Sequence, residues 1–126
     1  MTVLSRAART FGWRSDAAPF TPRHTLGWAA FAGAEDAERI ARELVERRLA
    51  ACVNVVPGVV SIYRWQGKVE REEERLLVIK TRGERFPALR EALAAIHPYD
   101  VPELIAIPIE DGSPAYLQWL DEAVDG

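Results

Sequence analysis

Apolar residues recur at helical spacing in three segments of the chain, and each segment predicts a helix. Within Glu35–Ala50 they fall three and four apart, opposite a charged face; the stripe consists of Ala37, Ile40, Ala41, Leu44, Val45 and Leu49. Phe86–His97 shows the same spacing and is followed by Pro98, which stops a helix. A third helix is predicted to open at Ser113-Pro114, because serine caps a helix and proline fits its first turn.

The segments between these helices have the composition of strands. Cys52–Trp65 is rich in valine, isoleucine and tyrosine, and the short link Gln66-Gly67 joins it to a second predicted strand, Lys68–Arg82. A glycine in a two-residue polar link favours a hairpin. Val101–Ile109 is almost continuously apolar and predicts another strand. Thr25–Gly33 is a weaker strand candidate, because it contains several glycine and alanine residues, which are poor strand formers.

The order of these elements is that of a ferredoxin-like βαββαβ domain. We therefore predict an α+β fold in which two helices cover one face of an antiparallel sheet, with an extra C-terminal helix. Residues 25–126 are assigned to this domain. Residues 1–24 are assigned to an N-terminal extension that we expect to be poorly ordered.

The predicted hairpin is longer than its own domain. A strand over Cys52–Trp65 would extend roughly 46 Å at about 3.3 Å per residue, whereas a domain of about 100 residues is only about 35 Å across. Because exposed strand edges are normally paired or covered, this hairpin predicts a homo-oligomer. Pro57-Gly58 cannot continue a regular ladder and predicts a bulge or bend. Without a bulge Lys80 lies opposite Val53, and with one extra residue it lies opposite Cys52.

Charge and composition narrow the range of partners. A formal net charge of −3, with no basic run beyond the N-terminal part, disfavours nucleic-acid binding. Residues 1–25 carry a net charge of +3 and the remainder −6. An arginine-rich start fits either an organelle transit peptide or an extension with no targeting role, and we favour the extension. No apolar run is long enough to span a bilayer. The single cysteine excludes an intramolecular disulfide and fits a reducing cytoplasm.

Five motifs, in order and at consistent spacing, make the chain resemble the CutA divalent-ion-tolerance family. They are Ala51–Gly58 (ACVNVVPG), Ser61–Gly67 (SIYRWQG), Val78–Thr81 (VIKT), His97–Glu103 (HPYDVPE) and Pro114–Leu120 (PAYLQWL). The resemblance implies a ferredoxin-like subunit, a homotrimer built through strand pairing, and a cytoplasmic location. It also implies tolerance or binding of divalent metals, copper above all, without an organic cofactor, and a trimeric architecture like that of PII signalling proteins.

Three residues are the candidate metal ligands. The thiolate of Cys52 suits Cu(I) or Zn, the imidazole of His97 is a common ligand, and Glu103 would supply an oxygen. Each of the first two has a structural alternative: Cys52 can be a small buried hydrophobe, and His97 can end its helix as a cation at the last carbonyls. Because Cys52 and His97 cannot complete a four-ligand site alone, a second subunit would contribute ligands.

Four further residues are candidates for lining a ligand cleft. Tyr63 and Trp65 share one face of the hairpin, and Tyr99 lies in a loop stiffened by two prolines. Lys80 would favour the ionised form of Cys52, or would instead pair with a carboxylate where subunits meet. The alternative for Tyr63 and Trp65 is a role as core or interface anchors, which is the more frequent role of aromatic residues on a long hairpin.

The chain lacks the familiar catalytic motifs, so we expect a protein that is not an enzyme. It contains no G-x-G-x-x-G, P-loop, G-x-S-x-G or C-x-x-C sequence. The glutamate run at positions 70 and 72–74 is interpreted as a solvated strand and turn. The leading hypothesis is a trimeric metal-binding protein; the alternatives are a PII-like sensor of a small anionic ligand and a non-catalytic trimeric interaction hub.

Overall fold

The computed structural model describes residues 23–31, 33–97 and 102–125, and its elements follow the predicted order. The strands and helices are β1 (His24–Phe31), α1 (Ala34–Glu46), β2 (Cys52–Trp65), β3 (Lys68–Arg82), α2 (Phe86–Ile96), β4 (Leu104–Pro108) and α3 (Pro114–Val124). A short 3-10 turn, Gly83–Arg85, precedes α2. The predicted extension over residues 1–24 lies almost wholly outside the described residues, and β1 begins within it at His24.

The four strands form one antiparallel sheet in the order β2-β3-β1-β4. This order, with two helices joining the strands, confirms the α+β ferredoxin-like prediction. The strands β2 and β4 are the two edges of the sheet. Among the described residues, no helix has the length and apolar character needed to cross a membrane.

The main core lies between the sheet and the two connecting helices. The fully buried side chains at its centre come from α1, α2, β1 and β3, and they are Ile40, Leu44, Leu89, Leu93, Ala29, Leu77 and Ile79. The glycine and alanine content of β1 has a packing cause. A Cβ added at Gly27 would lie 3.3 Å from the Cβ of Ile79 and 3.6 Å from a methyl group of Leu89. Small residues in β1 therefore allow α2 to approach the sheet closely.

A bulge in the hairpin shifts its register at the predicted place. Residues from Trp65 back to Val59 pair regularly with Lys68 to Glu74, and the ladder then shifts between Val56 and Val59. Gly58 accommodates the shift with φ of +77°, a left-handed conformation that glycine adopts without steric cost. Beyond the shift Cys52 pairs with Lys80, which confirms the bulged alternative of the two registers.

The distal half of the hairpin forms a projecting arm, residues 59–74. β1 pairs with β3 only from Arg75 to Arg82, so the strands of the arm pair only with each other. At about 3.3 Å per residue the arm projects roughly 20 Å beyond the sheet. Its apolar side chains are exposed, with relative accessibilities of 69% for Ile62 and 66% for Val69.

Candidate functional site

The predicted site residues of the sheet lie on its outer face, opposite α1 and α2. Side chains alternate along a strand, and the core-facing residues Val53 and Ile79 flank Cys52 and Lys80. The same alternation places Trp28, next to the core residue Ala29, on the outer face. The outer face therefore carries the polar chemistry, while the inner face carries the core.

Cys52 and Lys80 form the first group on this face. The ammonium Nζ of Lys80 donates to the thiol Sγ of Cys52 at 3.9 Å, and the pair is partly buried. The structure thus brings together the two residues that the hairpin register connects. Tyr116 of α3 is nearby: burial of its hydroxyl, together with the negative charge that Cys52 can carry, raises the pKa of Tyr116. A cation beside a thiol favours the thiolate, which is the form that binds soft metals.

His97 begins the second group. It is buried, and its Nε2–H donates to the backbone carbonyl of Ala30 at 2.7 Å. A carbonyl only accepts, so the proton of this hydrogen bond lies on Nε2. Burial lowers the pKa of His97, outweighing the opposing effects of the Ala30 hydrogen bond and the charge of Glu74. The ring also connects the end of α2 to β1, so its structural role does not depend on a positive charge.

Glu74 belongs to the same group, and the interpretation of the glutamate run as fully solvated is wrong at this position. Its relative accessibility is 6%, although it lies at the base of the projecting arm. The period of the strand places Glu70, Glu72 and Glu74 on one face and the exposed Glu73 on the other. This alternation was a usable signal in the sequence. The segments that bury Glu74 at the base of the arm are distant in the sequence, so its burial could not be predicted from the glutamate run alone.

Glu103 completes the second group, just before β4. Glu103 is exposed as a whole residue. The pKa of its carboxyl is nevertheless raised, mainly by desolvation and secondly by the negative charge of Glu74. A hydrogen bond from Trp28 acts in the opposite direction. Glu74 therefore acts electrostatically on both His97 and Glu103, and Trp28 lies beside Glu103.

The two groups stand apart within one chain. Lys80, the partner of Cys52, pairs with Leu26 of β1, whereas His97 binds Ala30, four residues further along the same strand. At about 3.3 Å per residue this separates the groups by roughly 13 Å along the strand direction alone. Among the described residues, no three His, Cys, Asp or Glu side chains are close enough together to hold a metal ion. The three predicted ligands are therefore not assembled by a single chain.

The predicted aromatic residues of the cleft lie on the arm, except Tyr99, which is outside the described residues. Tyr63 pairs with Glu70 and Trp65 with Lys68, so both share the face of Glu74. A hydrogen bond between Tyr63 and Glu72, supported by smaller contributions from desolvation and neighbouring carboxylates, raises the pKa of Tyr63. The arm thus carries tyrosine, tryptophan and carboxylate side chains on the face that continues the outer face of the sheet.

Comparison with known sequences extends over most of the described chain. The family described as CutA1 divalent ion tolerance protein matches residues 26–123. The divalent-cation tolerance protein CutA of Thermus thermophilus is 57% identical over 88 residues, which cover 70% of this chain and 85% of that protein. The human protein CutA is 48% identical over 89 residues, 71% of this chain and 50% of its own length. The chain therefore spans about half of this human relative.

Solved structures give the same result. The divalent cation tolerance protein (Cut A1) of Thermus thermophilus superposes with a TM-score of 0.77 at 50% identity, covering 79% of this chain and 97% of that one. CutA of Xylella fastidiosa superposes with a TM-score of 0.80 at 44% identity, covering 82% of this chain and 99% of that one.

Proposed function

The chain belongs to the CutA1 divalent ion tolerance family, and on that premise we propose that it is a homotrimer that binds a soft or divalent metal ion, copper above all, between its subunits. The proposed ligands are the thiolate of Cys52, the imidazole of His97 and the carboxylate of Glu103. Thiolate and imidazole suit copper and zinc, and a carboxylate is an acceptable third ligand.

The separation of the two groups supports a site between subunits. Cys52 with Lys80 lies at one position on the outer face, and His97 with Glu103 lies about 13 Å away along β1. Side chains cannot close that gap within the chain. In a symmetric oligomer the same face occurs in every subunit, so one subunit's thiol can meet another's imidazole.

The projecting arm supports the oligomer. Val60, Ile62 and Val69 are exposed on one face of the arm, with accessibilities of 47%, 69% and 66%. Apolar groups of this size are normally covered, and a strand edge this long is normally paired. A second copy of the chain satisfies both requirements. Tyr63, Trp65, Lys80 and Tyr99 are then proposed to shape the cleft beside the metal.

Copper titration of the purified full chain tests the proposal. We expect the Cys52→Ala, His97→Ala double variant to bind copper at least tenfold more weakly than the wild type, a difference of about 1.4 kcal/mol. Glu103→Gln is expected to weaken binding as well. Glu38→Gln removes the same charge from an exposed position on α1, away from the arm, and serves as its matched control.

Sedimentation of each variant separates the two parts of the proposal. Equal copper affinity in the wild type and the double variant, with the oligomer intact, would end the assignment of ligands. A wild type that sediments as a monomer at micromolar concentration would remove the site between subunits altogether.

A further inference from the structure

The C-terminal helix α3 has a small apolar core of its own. Leu120 and Val124 are fully buried, and they pack with Ala51 in a cluster separate from the main core between the sheet and the other helices. Tyr116 and Trp119, in contrast, remain exposed by 41% and 45%. The apolar contacts of the helix are therefore limited to one short stripe that is separate from the main core.

Charged contacts hold the same helix at its last two turns. The carboxylate of Asp121 accepts from Nη2 of Arg23 at 3.1 Å and interacts with Nε2 of His24 at 3.0 Å. Arg82 donates through Nη1 to the carboxylate of Asp125 at 2.7 Å. Burial disfavours the charged form of Asp121, but the hydrogen bonds and charges of Arg23 and His24 outweigh it and lower the pKa of Asp121.

The last carbonyls of α3 are capped by arginines from other elements. Arg85 donates to the carbonyl of Val124 at 2.7 Å, and Arg48 donates to that of Asp125 at 2.9 Å. The last turn of α3 contains no basic residue. The positive charge that favours the C-terminal end of a helix therefore comes from tertiary contacts alone.

The position of α3 relates it to Cys52. Its apolar stripe rests on Ala51, the residue immediately before Cys52, and Tyr116 lies within electrostatic reach of the thiol. Cys52 is only partly accessible in this arrangement. Segments with few buried contacts and surface charges open locally before the whole domain unfolds.

We propose that α3 is an independently stabilised lid, held by arginines, whose local opening controls the access of large reagents to Cys52. Closed, it keeps Tyr116 and the Ala51 cluster against the thiol. Open, it leaves the Cys52–Lys80 pair on the outer face uncovered while the sheet and the other two helices stay folded. This inference does not depend on whether Cys52 binds a metal.

Alkylation of the full chain tests the lid, because Cys52 is the only cysteine. The readout is the rate with a polymer-linked maleimide divided by the rate with N-ethylmaleimide. Both reagents attack the same thiolate, so the ratio cancels changes in its reactivity and reports steric access. In the double variant Arg82→Ala/Arg85→Ala we expect this ratio to rise about fivefold. The variant removes partly exposed charged contacts that hold α3, so the helix opens more often.

The matched control is Arg39→Ala/Arg47→Ala. It removes the same two charges from arginines that pair with Asp36 and Glu43 of α1. We expect its ratio to stay within about twofold of the wild type. Leu120→Ala, which removes the centre of the small cluster, should raise the ratio further.

Hydrogen exchange distinguishes a lid from a general loss of stability. The arginine variant is expected to lose protection at the amides of α3 and to keep it in α1 and β3. Equal ratios in the two double-arginine variants would overturn the inference. So would a rise in the ratio accompanied by equal loss of protection throughout the chain. If Leu120→Ala does not fold, the comparison of the two arginine variants still decides the question.

Discussion

Strand β3 crosses two regions of the molecule, the body of the sheet, where its apolar side chains are buried, and the arm, where they are exposed. In the body of the sheet Leu77 and Ile79 are fully buried, whereas on the arm Val69 and its neighbour Ile62 are exposed by 66% and 69%. The difference in burial comes from the helices and not from the strand itself. α1 and α2 pack over the body of the sheet, whereas the arm extends past both helices. These apolar residues of the arm lie outside the core of the single chain, and our proposal assigns them to association between subunits.

The first prediction addresses the body. Leu77→Ala should lower the free energy of unfolding by about 2–5 kcal/mol, because it leaves a cavity in the centre of the core. Denaturant titration should show this loss at two protein concentrations roughly a hundredfold apart, because a core contact does not depend on assembly. A loss that vanished at the higher concentration would contradict the distinction between body and arm.

The second prediction addresses the arm. Ile62→Asp with Val69→Asp should shift the oligomer towards monomer and raise the concentration needed for assembly at least tenfold, since each buried side chain contributes about 1.5–3 kcal/mol. Val45→Asp, which alters an exposed valine on α1, is the control and should assemble normally. Sedimentation velocity measures both. If the arm variant and the control assemble alike, another surface holds the subunits together.

The third prediction concerns the junction between the two regions. Gly58→Ala should destabilise the protein by about 1 kcal/mol, because its φ of +77° suits glycine, while a Cβ there would meet no atom within 4 Å. Gly58→Asn should cost less, since asparagine tolerates this conformation better than alanine. Thermal unfolding ranks the variants. Equal costs for alanine and asparagine would show that backbone conformation is not the cause.

The smallest expected effect is the pH dependence from His97. The folded state holds this imidazole neutral below the ordinary pKa of 6.5, so only the unfolded state gains its proton as the pH falls. Stability should therefore decrease below about pH 6.5, by at most about 1.4 kcal/mol per pH unit. Glu103, whose pKa is raised, acts with the opposite sign.

The His97 measurement is made in a Glu103→Gln background to remove that second contribution. His97→Gln should flatten the slope of unfolding free energy between about pH 7 and about pH 5.5, the range around the ordinary imidazole pKa. An unchanged slope would mean that another group titrates in this range.

Much of this fold follows from local patterns in the sequence. The period of apolar residues determined the order of helices and strands. The positions of Gln66-Gly67 and Pro57-Gly58 limited the partner of Lys80 to Val53 or Cys52, and the structure shows Cys52. These features depend on neighbours in the chain or directly across a hairpin. Geometry at that range is set by residue spacing and by the conformations that proline and glycine allow.

The tertiary structure alone decided what covers each side chain. Glu74 is buried although its sequence neighbour Glu73 is exposed, and Cys52 and His97, both candidate ligands, lie in separate groups. α3 likewise meets arginines from three distant segments, at positions 23, 48 and 82–85. Burial and assembly of a site depend on how elements far apart in the chain cross one another. Local spacing carries no information about that crossing, and only the packing of the whole domain supplies it.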